Sequence, residues 1–531
     1  MRRWNGWGDA SIETELGAQA GAFLRERLGQ GSAPADARFD AACARLAPSR
    51  LAPHPLVDAG PQARVLHALG QSLPDWLRLR YGRIDAAPDG VAYPECAQEV
   101  RELLAYAAAN DAVVIPYGGG TSVAGHLGVI DAARPALSID MGRMRAMVSL
   151  DREALLATFC AGVAGPDLEA QLRAHGYTLG HFPQSFEYST LGGWVATRSS
   201  GQQSLRYGRI EALFAGGRVE TPAGSLDIPT FPASSAGIDL REMVLGSEGR
   251  LGILTHATVR ISRLPQHEAF HAVFFPDWER AVAAVRALAQ ARLPLSMLRL
   301  SNAVETTTML TLAGHARGVR LLEGWLSLRG CKDGKCMLMI GVSGARAQAL
   351  PALRAALALA RGHGGVHVGR SLGERWRRNR FRSVYLRNAA WAQGYAIDTV
   401  ETALDWPRVT QAVEHIERAA ADALRDCGER VHAYTHLSHV YPQGASVYST
   451  FVFRLAGDFE TDLARWRRLK QRVSGAIVAC GGTISHQHGV GTDHAPWLAA
   501  EKGPLGLGAM AAIFRHVDPD GRMNPGKLVA P

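Results

Sequence analysis

Three clusters in the sequence bring together residues able to bind an anion or move a proton. In the first, Gly118, Gly119 and Gly120 stand side by side, after Pro116 and ahead of Thr121 and Ser122. Without Cβ atoms, such a turn can aim several backbone N–H groups at one anion, and the hydroxyls add donors. A diphosphate suits it. The Gly-Lys-Ser/Thr ending of a P-loop is missing, as is Gly-x-Gly-x-x-Gly in a strand-to-helix setting, so neither common nucleotide fingerprint applies. Taken alone, the turn is also consistent with a plain structural loop. Two later segments have the same character. His181-Phe-Pro183-Gln-Ser185 leads through Thr190 into Leu191-Gly192-Gly193 and on to Thr197, and the small residues at 192 and 193 let a flat ring lie against the chain. Gly246-Ser-Glu248-Gly249 with Gly252-Ile253 offers a third close-approach loop.

The second cluster is Tyr434, His436, Ser438, His439 and Tyr441, followed by Tyr448. Strand alternation puts Tyr434, His436 and His439 near one end of adjacent strands and points Tyr448 away from Val447. A neutral tyrosine is a weak base, and burial raises its pKa further, so forming its anion needs a nearby positive charge. The third cluster is Ser485-His486-Gln487-His488-Gly489. Its two histidines face the same way if the chain is extended. With no third ligand apparent, they specify no metal. Hydrogen bonding to a phosphate, a carboxylate or a reacting oxygen is the simpler use.

These clusters need elements to hold them. Pro94 to Val100 opens a helix, with proline and acidic residues in its first turn. Val113 to Ile115 and Leu137 to Asp140 read as short buried strands on either side of the glycine turn. After about Pro265 the pattern changes. Strands are expected at Phe270 to Phe275, Ser296 to Leu300, Lys335 to Gly341, Val366 to Val368, Val431 to Tyr434 and Val447 to Arg454. Helices are expected at Trp278 to Ala291 and near 342–361, 407–425 and 457–473. An antiparallel sheet backed by helices follows, hence an α+β substrate domain.

The 531 residues exceed one ordinary core. Hydrophobic residues at 47% and charged residues at 20% exclude a disordered chain. Seven unpaired-looking cysteines point to a reduced interior rather than a disulfide framework. The net charge of +9 suits an anionic substrate or an acidic membrane surface. No zinc-finger spacing, RNA-recognition signature or basic heptad supports nucleic-acid binding. The densest basic run, Glu374 to Arg382, reads either as a helix-surface stripe or as an anion entrance or membrane-facing patch. The opening Met1-Arg-Arg-Trp-Asn-Gly-Trp lacks the apolar run of a signal peptide, and the uncharged Val473 to Thr492 stretch is too polar to span a membrane. The ending Leu-Val-Ala-Pro531 is no peroxisomal address, so the expected place is cytoplasmic, with peripheral membrane contact left open.

Taken together, these motifs resemble those of flavoproteins with the vanillyl-alcohol-oxidase-type (PCMH-type) FAD domain, and in particular the alkyldihydroxyacetonephosphate synthase subgroup. The resemblance runs from Arg3-Trp-Asn-Gly-Trp-Gly8 to Asp518-Pro-Asp-Gly-Arg-Met-Asn-Pro-Gly-Lys527, and Ser189-Thr-Leu-Gly-Gly-Trp-Val-Ala-Thr197 is its most specific phrase. It implies an α+β protein with a two-part FAD domain at 86–265 and a cap with an antiparallel sheet at 266–475. A helical segment (1–85) would precede these, and a C-terminal segment (476–531) would return to the flavin. It implies that residues 117–123 wrap the diphosphate, that 183–197 line the flavin, and that 246–253 with Asn524 complete the bed. Thr121 stands where covalent relatives carry a histidine, so FAD is expected to be noncovalent; His126 is expected to support the loop. Arg299 and Arg387 match segments whose arginines approach substrate and flavin, and Tyr448 matches a catalytic acid/base. A homodimer is implied as well.

The family carries three successive histidines where this chain has His486, Gln487 and His488. Glutamine cannot carry an imidazolium charge, which weighs against the family's specialised reaction. The expected activity is therefore FAD-dependent oxidation of a small anionic hydroxy acid or polyol phosphate. Tyr448, His486, His488 and Arg387 would be catalytic, and Arg299, Arg387, His439 and Tyr441 would bind substrate. The alternative is alkyldihydroxyacetonephosphate synthase activity, exchanging acyl for alkyl through a covalent flavin adduct on a lipid-linked substrate.

Overall fold

A computed structural model describes residues 2–312 and 316–529. Its architecture is α+β, with two small sheets and a two-stranded pairing of Tyr177–Thr178 with Ser262–Arg263 in one lobe, and one large antiparallel sheet in the other. The first small sheet runs in the order Val57–Asp58, Gly90–Ala92, Ala136–Asp140, Val113–Tyr117, and its last three strands are parallel. Val114, Leu137 and Ile139 are fully buried against the helix Ala97–Ala109, whose Val100, Leu103, Leu104 and Ala107 form one apolar stripe. The second sheet is antiparallel, in the order Met147–Asp151, Leu156–Cys160, Ile253–Arg260, Phe214–Thr221, Gly224–Ile228. The chain end returns to this lobe: Asn524 N–H donates to Val114 C=O at 2.8 Å, and Val114 N–H donates to Arg522 C=O at 2.8 Å. The segment ahead of residue 86 is tied to it too, through Val57–Asp58 and through Gln71 N–H to Ser122 C=O at 2.6 Å.

The large sheet has seven strands, in the order Val366–His367, His267–Phe275, Cys336–Gly344, Met297–Ser301, His432–Val440, Gly444–Arg454, Tyr395–Asp405. One face is a core layer: Leu298, Leu300, Leu338, Ile340, Leu437, Val447 and Phe451 are all nearly or fully buried. The helices Trp278–Gln290, Arg346–Gly362 and Trp406–Ala423 pack on it. The first of these starts where the Asp277 carboxylate accepts the Arg280 N–H, and it buries Ala281, Ala284, Val285 and Leu288 at helical spacing. The alternate residues face the other way. Ser301, His436, Tyr448 and Glu401 are register partners across four strands, so their side chains form one row.

The strand Tyr395–Asp405 is not among the strands expected from the sequence. Its Asp398 and Glu401 interrupt the apolar pattern that marks a buried strand. They are tolerated because each has a partner: the Trp466 indole N–H donates to Asp398 at 2.9 Å, and Ser438 donates to Glu401 at 2.6 Å. Among the described residues, no helix is long and apolar enough to cross a membrane.

Candidate active site

A cavity of about 740 Å³ lies between the lobes, and all three glycine segments line it. The glycine turn and the 188–193 segment are in direct contact. A Cβ on Gly119 would lie 1.8 Å from the Tyr188 carbonyl oxygen, and one on Gly118 would lie 2.4 Å from Thr190 Oγ1. Gly120 has φ +60° and Gly249 φ +79°, conformations that glycine adopts without strain. At Gly193 the only neighbour of an added Cβ is Thr190 Oγ1 at 3.3 Å, so this backbone is open to the cavity. A cradle of bare backbone beside an open floor fits a dinucleotide with a flat ring. Residues from all three stretches assigned to the cofactor line this space, among them Pro116, Gly118, Pro183, Gly193, Glu248, Ile253 and also Asn524. Thr121 is among them and has no ring nitrogen to offer. His126 supports the loop: its Nδ1 meets Ser122 Oγ, and its Nε2 lies 3.1 Å from Glu248 Oε1. Glu248 also accepts the Gly491 N–H at 2.8 Å, which fastens the C-terminal loop to the bed.

The sheet supplies the opposite wall. Met297, Arg299, Tyr434, His436, Tyr448 and Thr399 line the cavity from alternate positions on four strands. The Tyr448 ring stacks on His436 at 4.8 Å and 17°, and it meets His488 edge-to-face at 5.4 Å. Burial pushes the Tyr448 hydroxyl up and outweighs the pull of Arg387, so the group is a neutral donor. Burial also lowers His488, which keeps its ring neutral near pH 7. Arg387 lines the cavity, lies over the Trp76 ring at 4.3 Å and donates Nη1–H to Gln71 C=O at 2.7 Å. Burial brings it down to about 10, so it stays charged. Arg299 is committed elsewhere. It forms an ion pair with Glu305 at 2.7 Å and donates to Ser301 at 2.9 Å, while His436 Nδ1 lies 3.0 Å from the same Glu305 oxygen. Burial alone would raise Glu305, but Arg299 and His436 hold it at about 2.

His486 and Tyr441 do not line this cavity. The segment around His486 is irregular rather than extended, so the alternation that would aim both histidines the same way does not operate. His488 reaches the cavity. His486 turns behind it, with Nδ1 3.0 Å from Glu401 and Nε2 2.6 Å from the Tyr441 hydroxyl. Tyr441 faces a second, smaller pocket with Arg209, and His439 lines both spaces. Glu401 was not singled out from the sequence, yet it is the hub: His486, His439 and Ser438 converge on Oε1, and His488 Nε2 lies 3.9 Å from Oε2. Burial opposes its charge, and His486 and His439 hold its carboxyl well below the usual range. The available signal was a pair of carboxylates, Asp398 and Glu401, in an otherwise uncharged run. By donor type, Glu401, His439 and His486 could also hold a metal ion; as placed, hydrogen bonds and close approaches join them.

Burial keeps several histidines neutral, which sets an acid limit on stability. His181 is lowered to about 3, and His271, His432 and His486 to about 4, from 6.5. Between those values and 6.5 the unfolded chain binds protons that the fold does not, so stability falls as the pH drops through that window. Between pH 6.5 and 5 each group contributes up to about 2 kcal/mol to the loss. Glu305 adds to it only below about 4.5. The denaturation midpoint should therefore fall between pH 6.5 and 5, and a level midpoint there would contradict this neutral-histidine picture.

Comparison with known proteins agrees with this geometry. Residues 88–227 match the FAD binding domain model, and residues 264–528 match the model for the FAD linked oxidases, C-terminal domain. The alkyldihydroxyacetonephosphate synthase of Dictyostelium discoideum is 31% identical over 474 residues, covering 88% of this chain and 77% of that protein. A mitochondrial D-lactate dehydrogenase (cytochrome) of Arabidopsis thaliana is 26% identical, covering 84% and 74%. A solved alkyldihydroxyacetonephosphate synthase superposes with a TM-score of 0.84 at 25% identity, covering 99% of this chain and 98% of the other.

Proposed function

The chain belongs to the FAD-linked oxidase family, in its alkyldihydroxyacetonephosphate synthase group, and from that premise we propose that it exchanges the acyl group of an acylated dihydroxyacetone phosphate for a fatty alcohol. This reverses the preference drawn from Gln487 alone. The relatives support the exchange more than net oxidation, and one observation in the structure supports it independently. The same cavity has an apolar part, an arm lined by Met309, Leu310, Met337, Met339, Leu372 and Trp376. A small hydroxy acid has no use for such a space, whereas an alkyl chain gains about 0.8 kcal/mol per buried methylene.

FAD is held without a covalent link, consistent with Thr121. When bound, it supplies the electron-accepting ring that the exchange requires. The protein's own groups do the rest. The bond from the ketone-phosphate carbon to the acyloxy oxygen breaks and the carboxylate leaves. A bond to the alcohol oxygen forms, and the alcohol proton is lost, with no net change in oxidation state. The neutral Tyr448 hydroxyl donates a hydrogen bond to a substrate oxygen. The neutral His488 ring accepts the alcohol proton, and Arg387 places a fixed positive charge beside both.

The test is to supply FAD-loaded protein with acylated dihydroxyacetone phosphate and labelled hexadecanol, and in parallel with 2-hydroxy acids under anaerobic conditions. Ether product with release of fatty acid is expected, with no hydroxy acid bleaching the flavin. Bleaching without ether product would restore the oxidation reading. Met339→Trp should block the arm, lowering kcat/KM for hexadecanol about tenfold or more relative to octanol.

A further inference from the structure

We propose that Arg380 is the anion-binding residue of this cavity, set where the apolar arm meets the cofactor cleft, and that it grips an oxyanion: the substrate's phosphate or the carboxylate of the released fatty acid. The proposal rests on the exchange reading above for the source of that oxyanion.

Arg380 directly follows the helix Ser371–Asn379. It lines the cavity, with its guanidinium 4.6 Å from the Phe182 ring centre and 4.9 Å from that of Phe381. Phe182 adjoins Pro183 of the cofactor cleft, while Trp376, whose ring centre is 5.8 Å from the guanidinium, lines the arm. Arg380 Nε and Nη1 are both buried, and neither has a hydrogen-bond partner. The other two arginines assigned to substrate are already engaged, Arg299 with Glu305 and Ser301, and Arg387 with the Gln71 carbonyl. The carboxylates nearest in effect are also occupied. Glu268 accepts from Gln203, and Glu169 accepts from Thr178 and from the Gly180 N–H. Burial lowers Arg380 only to about 10, so it carries its charge at neutral pH.

Two buried guanidinium donors without acceptors are costly unless something supplies them, and the planar fork suits two oxygens of one anion. Aromatic rings hold the cation in place without neutralising it. The basic run noted in the sequence thus divides. Arg370 and Arg377 pair with Glu374 at the surface, whereas Arg380 turns inward.

The experiment uses full-length, FAD-loaded protein. Inorganic phosphate and decanoate are titrated separately while the flavin absorbance is followed, and steady-state constants are measured with the acylated ketone phosphate. Arg380→Met should weaken one anion about 10- to 100-fold, and Arg380→Lys, which keeps the charge, should weaken it less. Selective loss of phosphate affinity, with KM raised and kcat nearly unchanged, assigns the substrate phosphate. Selective loss of decanoate affinity, with less product inhibition by fatty acid, assigns the carboxylate. Unchanged constants for both anions in Arg380→Met overturn the proposal. So does release of FAD from both variants, which would place the guanidinium on the cofactor. Arg380→Lys provides the reading if the methionine variant fails to fold. Anion binding that depends on Arg380 in a protein making no ether would retain this site while removing the exchange reading.

Discussion

Gly119→Ala should yield a folded protein whose affinity for FAD is reduced at least about 100-fold, roughly 3 kcal/mol. The added methyl would lie 1.8 Å from the Tyr188 carbonyl oxygen and 2.6 Å from its carbon. No rotamer relieves an alanine, and both contacts are with backbone, so the glycine turn and the 188–193 segment must move apart. That contact brings the two walls of the cofactor bed together, and parting them spoils the aim of every N–H in the turn. Two controls set the scale. Gly193→Ala meets only Thr190 Oγ1, at 3.3 Å, and should weaken FAD binding much less. Gly475→Ala, in the helix Phe459–Ala479 with nothing within 4 Å of the added methyl, should leave FAD binding unchanged and stabilise the fold by up to about 1 kcal/mol. If Gly119→Ala retains stoichiometric FAD with its affinity intact, the turn does not hold the cofactor.

The second large effect is expected at Tyr448. Tyr448→Phe preserves the ring that stacks on His436 and meets His488, and removes only the hydroxyl. FAD content and fold should be unchanged, while kcat for ether formation falls about 10²- to 10⁴-fold and KM moves little. Because burial holds this hydroxyl protonated, the parent's activity profile between pH 6 and 9 should show no ionisation belonging to Tyr448. If kcat in the variant stays above a tenth of the parent's, the hydroxyl is a packing group and the proton is handled elsewhere, with His488 the first alternative. Reading both variants by FAD content as well as by turnover separates the cradle from the chemistry.

The sequence carried more of the glycine-lined side of the cavity than of its sheet-side wall. The glycine side consists of runs such as Gly118-Gly119-Gly120 and Gly192-Gly193, in which neighbouring residues act together and the absence of Cβ is visible in the letters themselves. All of them reach one cavity. The sheet-side wall is different. Glu305 matters because Arg299 and His436 both point at it, and His436 is 131 positions away along the chain. Glu401 matters because the loop at His486 folds back onto its strand, with His486 N–H donating to Glu401 C=O at 3.2 Å. Neither relation has a local signature.

What the sequence alone determined is everything governed by short-range periodicity and turn chemistry. That includes the alternation carrying Tyr434, His436 and Tyr448 to one face of a sheet, the helices behind it, the glycine turn, and the family to which these belong. Tertiary structure decided which of two neighbouring histidines enters the cavity, which carboxylate gathers them, and which arginine is left with free donors. The physical reason is that hydrogen bonds and charges are satisfied in space. Arg299 and Arg380 look alike in the sequence, and only their neighbours, a carboxylate for one and aromatic rings for the other, give the first a partner within the protein and leave the second with unmet donors.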